Sequence, residues 1–181
     1  AMMTYDYFYN RHGRNSYDDN GAPIHIYIHT DYTATACWYN DKIFLTDGDG
    51  TTFDHFTDID IVAHEFGHGI GNFNFFSEAN SINEGLSMIW AACVEYYVNL
   101  YIDGLNDPTQ GIWQFGEGCD LRPNGSGYFS IEHPNDFFMP DTYKGMYWWG
   151  DHYYNSTVLS RWFYLLSEGS EEINDHKNKY H

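Results

Sequence analysis

Positive charge is scarce in this 181-residue chain: 8 Lys and Arg stand against 26 Asp and Glu, a net charge of −18 with the histidines neutral. A phosphate backbone or an anionic membrane surface needs clustered cations, so the balance excludes nucleic acid as a partner. It favours solubility, bound cations such as calcium, or both. Cysteine is scarce too. Cys37, Cys93 and Cys119 lie far apart without a CxxC pair, which argues against thiolate zinc ligation and leaves room for one disulfide, Cys93–Cys119 being conceivable in a secreted chain. No apolar run is long enough for a membrane-spanning helix. The start carries no signal-peptide pattern, and a mature secreted protein looks the same. Internal repeats and low-complexity tracts are also missing. Aromatics, by contrast, are plentiful: 17 Tyr, 13 Phe and 6 Trp make 20% of the chain. That is too many for a disordered acidic segment, and the length suffices to bury a core.

Patterning gives an α+β order, strands first and helices afterwards. Residues 5–11 form a helix candidate closed by Gly13. Ile24, Ile26 and Ile28 alternate with His25, Tyr27 and His29, as in a strand with one buried face. A strand pair is expected at 34–39 and 42–46, turning at Asn40 and Asp41. Asp47-Gly48-Asp49-Gly50 reads as a tight solvated turn, since the third acidic position of an EF-hand loop is absent. From Thr57 the pattern is helical, with Asp58 or Asp60 at the positive end and Gly69 and Gly71 as the stop. A loop over 72–80, a long helix over 81–101, an irregular covering region over 103–150 and a last helix over 156–167 before Gly169 complete the chain. Residues 1–181 thus read as one domain, 1–56 mainly strands and loops and 57–181 mainly helices and irregular segments. His12, His25, His29, His55, His133, His176 and His181 read as surface or strand-face residues. The run Tyr147-Trp148-Trp149 reads as core or covering loop.

His64-Glu65-Phe66-Gly67-His68 is an HExxH motif. Residues four apart on a helix stand one above the other, so His64 and His68 can face one metal ion while Glu65 takes a proton from a metal-bound water. A catalytic zinc needs a third protein ligand. Glu84 supplies one; the spacing His-x-x-x-His-x-x-Gly-x-x-His instead ends on Asn74, a poor zinc ligand. Glu84 has a competing role, because Ser81-Ile82-Asn83-Glu84 fits a capping box. Glu84, Met88, Ala91 and Glu95 share one helical stripe, and two acids on a buried stripe call for something to bind. With Asp60 one turn before His64, a calcium between Asp60 and Glu95 is a candidate; solvated carboxylates are the plain alternative.

These residues resemble the thermolysin family of secreted neutral zinc proteases. The resemblance runs in family order through Tyr5-Asp6-Tyr7, Ala36-Cys37-Trp38, the Asp47–Phe53 stretch, Asp60 to Glu65, Asn83-Glu84, Gly116-Glu117, Leu121-Arg122, Pro140 to Tyr143 and Asn155-Ser156. It implies a zincin-like fold in which a small N-terminal sheet packs on the HExxH helix and the following long helix. It implies a His/His/Glu (gluzincin) zinc set of His64, His68 and Glu84, with Glu65 as general base and proton shuttle. By the same resemblance Arg122 holds the substrate carbonyl, Ala36 pairs with an extended peptide by edge addition, and Ile61 and Leu121 line a pocket for the residue after the cut. An oxyanion donor before the last helix falls on His152, with Tyr153 as the alternative. Asp60, Glu95 and Glu117 are candidate calcium ligands, and the location implied is extracellular.

The departures are as specific. Met88 stands where an Asp supports the first zinc histidine, Thr35 where an Asn contacts substrate, and Phe75 where a Tyr assists the oxyanion. Ile112 and Gln114 replace two calcium-site acids. Most of the family's N-terminal β region and its C-terminal helical lobe are missing, so a lobe or pro-segment supplied elsewhere is an expected partner. The activity implied is a zinc endopeptidase acting on peptide or protein substrates and preferring a bulky apolar residue after the cut. The rival is a degenerate protease fold serving as a peptide-binding or structural module. A third reading keeps the zinc and cuts only small peptides.

Overall fold

The computed structural model describes residues 1–31, 36–71, 78–102 and 104–169. Helix α1 (Met2–His12) ends on Gly13, whose left-handed φ of 65° lets its amide cap the last turn. Phe8 of α1 is buried against Phe66 and Trp90, which fastens this helix behind the two that carry the site. Strands β1 (His25–Tyr27), β2 (Ala36–Tyr39) and β3 (Lys42–Leu45) form a sheet in the order β1-β3-β2. β3 runs parallel to β1 in the register Ile26 with Ile43, and antiparallel to β2 in the register Trp38 with Ile43. Asn40 and Asp41 both take positive φ, the two-residue hairpin turn that matches strand twist. β1 is shorter than its alternation suggests. His29 turns left-handed at φ 58°, and Ile28 ends up 57% exposed while Ile24 and Ile26 pack on the core.

Helix α2 (Ile59–Gly71) is buried along most of its length, as its apolar run Ile61-Val62-Ala63 with Phe66 requires. Helix α3 (Glu78–Tyr101) begins before the expected Ser81, so the loop expected over 72–80 contains helix from Glu78, and residues 72–77 lie outside the described residues. The capping-box role of Glu84 falls with that boundary, because Glu84 lies in the second turn rather than the first. The two helices share the most extensive packing in the molecule. Gly67 is the reason they come so close: a Cβ there would lie 3.0 Å from Ser87 Oγ and 3.1 Å from its Cα.

After α3 the expected irregular region contains a small antiparallel ladder, β4 (Gln114–Phe115) with β5 (Phe129–Ser130), and two short 3-10 turns. The short helix α4 (His152–Asn155) precedes α5 (Thr157–Glu168), which stops at Gly169. Asp151 caps α4 by accepting from the Tyr153 and Tyr154 amides. Cys37, Cys93 and Cys119 are all free thiols, so the conceivable Cys93–Cys119 bridge is absent. The Cys119 thiol instead donates to the His55 carbonyl, and Cys93 meets the Tyr7 hydroxyl. No helix among the described residues is long and apolar enough to cross a membrane.

Candidate metallopeptidase site

A cleft of about 610 Å³ opens between the β2 edge and the α2–α3 pair. Its floor is α2, through Ile61, His64, Glu65 and His68. One wall is β2 from Ala36 to Tyr39, an outer strand of its sheet. Asn83 and Glu84 enter from α3, and Phe115, Tyr128 and Tyr153 close the other side.

His64 Nε2 and His68 Nε2 lie 3.0 Å apart, and Glu84 Oε2 stands 3.3 Å from the first and 3.5 Å from the second. A tetrahedral ion with bonds of about 2.1 Å needs donors about 3.4 Å apart, so this set fits zinc and leaves a fourth position for water. The charge states of His68 and Glu84 suit ligation as well. Burial, reinforced by the neighbouring His64, holds His68 down to about 4, so its imidazole is neutral at working pH. Burial also opposes the charged form of Glu84, but the His64 hydrogen bond and the histidine charges outweigh it and keep the carboxyl below its ordinary value. For His64 burial is outweighed by the Glu84 hydrogen bond and the Glu65 and Glu84 charges, which hold the ring above its ordinary value, so an ion binding there displaces a proton. Asn83 Nδ2 and Ser87 Oγ meet His68 Nδ1 at 3.0 and 3.2 Å, fixing the ring orientation. His64 Nδ1 is buried and has no such partner among the described residues.

Glu65 lies beside these donors, bound to the backbone of Trp38 in β2. Burial and the Glu84 charge push its carboxyl up to about 7, against the opposing pull of His64 and the Trp38 amide. A carboxylate tuned to that range is suited to accepting and returning one proton near neutrality. Tyr153 lines the same cleft. Burial and the charges of Glu84, Tyr128 and Glu65 drive its phenol far above the usual range, so its hydroxyl remains a donor.

One turn before His64 on α2, a second acidic group gathers around Asp60. Asp60, Asp58 and Glu117 bring carboxylate oxygens within 4.8 Å of one another, and Glu95 meets Glu117. Asp60 Oδ2 accepts the Gly116 amide at 2.5 Å and is held well above its ordinary value by burial, Asp58 and Glu117. Burial and the charges of Glu117, Asp60 and Asp58 push Glu95 up to about 10. One buried oxygen of Glu95 and one of Glu117 have no hydrogen-bond partner among the described residues. Hard oxygen donors left unsatisfied together suit calcium.

The structure therefore brings His64, His68, Glu84, Glu65, Ile61, Ala36 and Tyr153 to one cleft, and Asp60, Glu95 and Glu117 to another cluster. His152 is not in the cleft lining: it starts α4 exposed, and the next residue, Tyr153, faces the site. Leu121 and Arg122 are not in the lining either. Leu121 is 47% exposed, while the Arg122 guanidinium is paired with Asp120 at 2.8 Å, donates to the Gly127 carbonyl and lies over the Phe53 ring. Thr35, Asn74 and Phe75 lie outside the described residues. Nothing in the sequence marks Phe115 and Tyr128 as cleft walls, since they sit in a region without periodicity. Asp58 read only as a helix-start acid, and Asn83 only as the neighbour of Glu84.

Two family models match this chain: "Thermolysin metallopeptidase, catalytic domain" over residues 1–72, and "Thermolysin metallopeptidase, alpha-helical domain" over residues 71–180. The junction falls at the end of α2, so His64 and His68 lie in the first matched region and Glu84 in the second. At least part of the family's helical domain is thus present in this chain. The chain is 35% identical to the bacillolysin of Brevibacillus brevis, covering 93% of this chain and 32% of that protein. It is 33% identical to the thermolysin of Alicyclobacillus acidocaldarius subsp. acidocaldarius, covering 93% and 31% respectively. The precursor of protealysin from Serratia proteamaculans is a structural match, with a TM-score of 0.73 and 26% identity over 91% of this chain and 56% of that one. The chain spans less than a third of the length of these curated relatives. With one family model covering residues 71–180 and the other 1–72, the chain belongs to the thermolysin metallopeptidase family.

Proposed function

We propose that this chain is a zinc-dependent endopeptidase centre in which His64, His68 and Glu84 hold the metal and Glu65 is the general base. The observation that carries the reading is the three-donor set at tetrahedral spacing beside a buried carboxylate poised near 7. Zinc, when bound there, polarises the substrate carbonyl and lowers the pKa of water to about 7. Glu65 accepts the proton of the attacking water and passes it to the departing amine. Tyr153 donates its hydroxyl to the oxygen that gains negative charge, a task for pre-positioned donors. The free edge of β2 pairs with an extended peptide along Ala36–Tyr39, and Ile61 with Phe115 offers apolar contact to a bulky residue after the cut. Asp58, Asp60, Glu95 and Glu117 hold a calcium ion. The working location is extracellular, and 1–181 acts as one catalytic unit.

Mass-spectrometric mapping of cuts in a mixed peptide library, beside Glu65→Gln, tests this reading. Cuts before Leu, Phe or Ile that fall by roughly 10²- to 10⁴-fold in the variant, with zinc content unchanged, are the expected result. Cuts of equal rate in both proteins would sink the assignment of Glu65.

The unpartnered Nδ1 of His64 favours a second reading. A carboxylate there would normally orient the ligand, and Met88 offers none. A zinc-loaded sample that binds library peptides and cuts none would identify a peptide-binding module on a protease fold.

A further inference from the structure

Three chain segments converge on the surface away from both clusters just described. His29 follows β1, Asp47 follows β3, and His55 lies on the approach to α2. Their side-chain donors lie within 4.8 Å of one another: His29 Nδ1 is 2.6 Å and His55 Nε2 3.8 Å from Asp47 Oδ1. We propose that His29, Asp47 and His55 form a separate surface site for a divalent transition-metal ion of the zinc class. This inference does not rest on the peptidase reading.

The hydrogen bonding around the group favours an ion. Asp54 Oδ1 lies 2.5 Å from His55 Nδ1, so in the neutral ring that donates Nδ1–H to Asp54 the Nε2 lone pair faces the Asp47 carboxylate. A cation between that lone pair and the carboxylate would satisfy both, and a carboxylate behind a histidine is the arrangement that orients metal-ligating imidazoles. The segments are firmly held. Gly48 packs so closely that a Cβ would lie 2.4 Å from the Asp54 carbonyl oxygen, so the Asp47 turn and the Asp54–His55 stretch are locked together. Asp49 accepts the amides of Thr51, Thr52 and Phe53 and stiffens the same turn. His29 keeps its left-handed backbone because Thr30 binds the Leu45 carbonyl through both its amide and its hydroxyl. The three side chains are 50 to 62% exposed, which leaves positions for water and lets the rings turn, His29 opening from 2.6 Å and His55 closing from 3.8 Å towards a ligand spacing of about 3.4 Å. Two imidazoles with one carboxylate select zinc, copper or nickel over calcium or magnesium.

The test uses the full chain with its cleft loaded with zinc and with calcium in excess. Zinc is then titrated into the wild type and into His29→Gln, His55→Gln and Asp54→Asn, with bound metal counted after desalting. The wild type is expected to retain one zinc more than either histidine variant and to melt at a higher temperature for it. In Asp54→Asn the extra zinc binds roughly 10- to 100-fold more weakly. The imidazole proton resonances of His29 and His55 in the unsubstituted protein should shift on the second equivalent of zinc, a readout that needs no variant. Equal zinc counts in the wild type and both histidine variants, or unshifted resonances for these two rings, would overturn the site.

Discussion

Tyr153 and His152 are neighbours on one turn of α4, and only Tyr153 is in the cleft lining, although the His152 charge is felt at Glu84. Tyr153→Phe removes a hydroxyl that stays protonated, and kcat is expected to fall about 10²-fold with KM little changed. His152→Gln should change kcat less than about threefold. Steady-state kinetics on one peptide substrate separates the two, and the reverse ranking would return the oxyanion role to His152. His64 offers a second residue-level contrast. Its buried Nδ1 is unpartnered, and Met88 is fully buried one turn after Glu84. Met88→Asp restores a carboxylate where the family resemblance places one, and zinc affinity is expected to rise roughly 10- to 100-fold in chelator competition. No gain would mean that position 88 does not face His64.

At the scale of elements, the site depends on how closely α2 and α3 approach. His64 and His68 share a face of α2 by helical period alone, but Glu84 belongs to the other helix. Gly67 sets the separation, since its missing Cβ leaves the room that Ser87 occupies. Gly67→Ala is expected to cost about 1 to 3 kcal/mol in urea unfolding and to weaken zinc binding as Glu84 moves away. A variant that keeps its zinc affinity would show that α3 adjusts without moving Glu84. α3 also spans both cation clusters, because Glu84 and Glu95 lie about three turns apart on one stripe. A metal bound in the cleft and a cation bound in the acidic cluster would therefore bear on the same helix from its two halves.

For the molecule as a whole, the acidic cluster governs how stability responds to pH. Glu95 has an ordinary value of 4.5 and is pushed up to about 10 in the fold, and Asp60 and Glu117 move in the same direction. Between those values the folded chain holds protons that the unfolded chain has released. Stability without cation therefore falls as pH rises from about 4.5 towards 10. Melting in a calcium chelator should show Tm decreasing from pH 6 to pH 9, and added calcium should flatten the slope while raising Tm throughout. A Tm that rises with pH in the chelator would contradict the assignment. The cleft carries its own pH signature: activity through Glu65 requires its carboxylate, so kcat/KM should rise as that group loses its proton.

Much of this was already legible in the chain. The HExxH spacing fixes two imidazoles and a carboxylate on adjacent helical faces because 3.6 residues per turn is a property of any helix. The hairpin turn at Asn40 and Asp41 and the helix stops at Gly13 and Gly169 are equally local. The stripe of Glu84, Met88, Ala91 and Glu95 was legible as two acids on one face of a buried helix. Tertiary structure decided the rest. It set the start of α3 at Glu78, which freed Glu84 from a capping role and turned it towards His64 and His68. It put Tyr153 and not His152 in the cleft lining, placed Arg122 against Asp120 outside that lining, and added Asp58 to the acidic cluster. It also gathered His29, Asp47 and His55 from three separate segments. Periodicity reports which face of one element a residue occupies. Which faces meet depends on contacts between segments far apart in the chain, and those exist only once the core has packed.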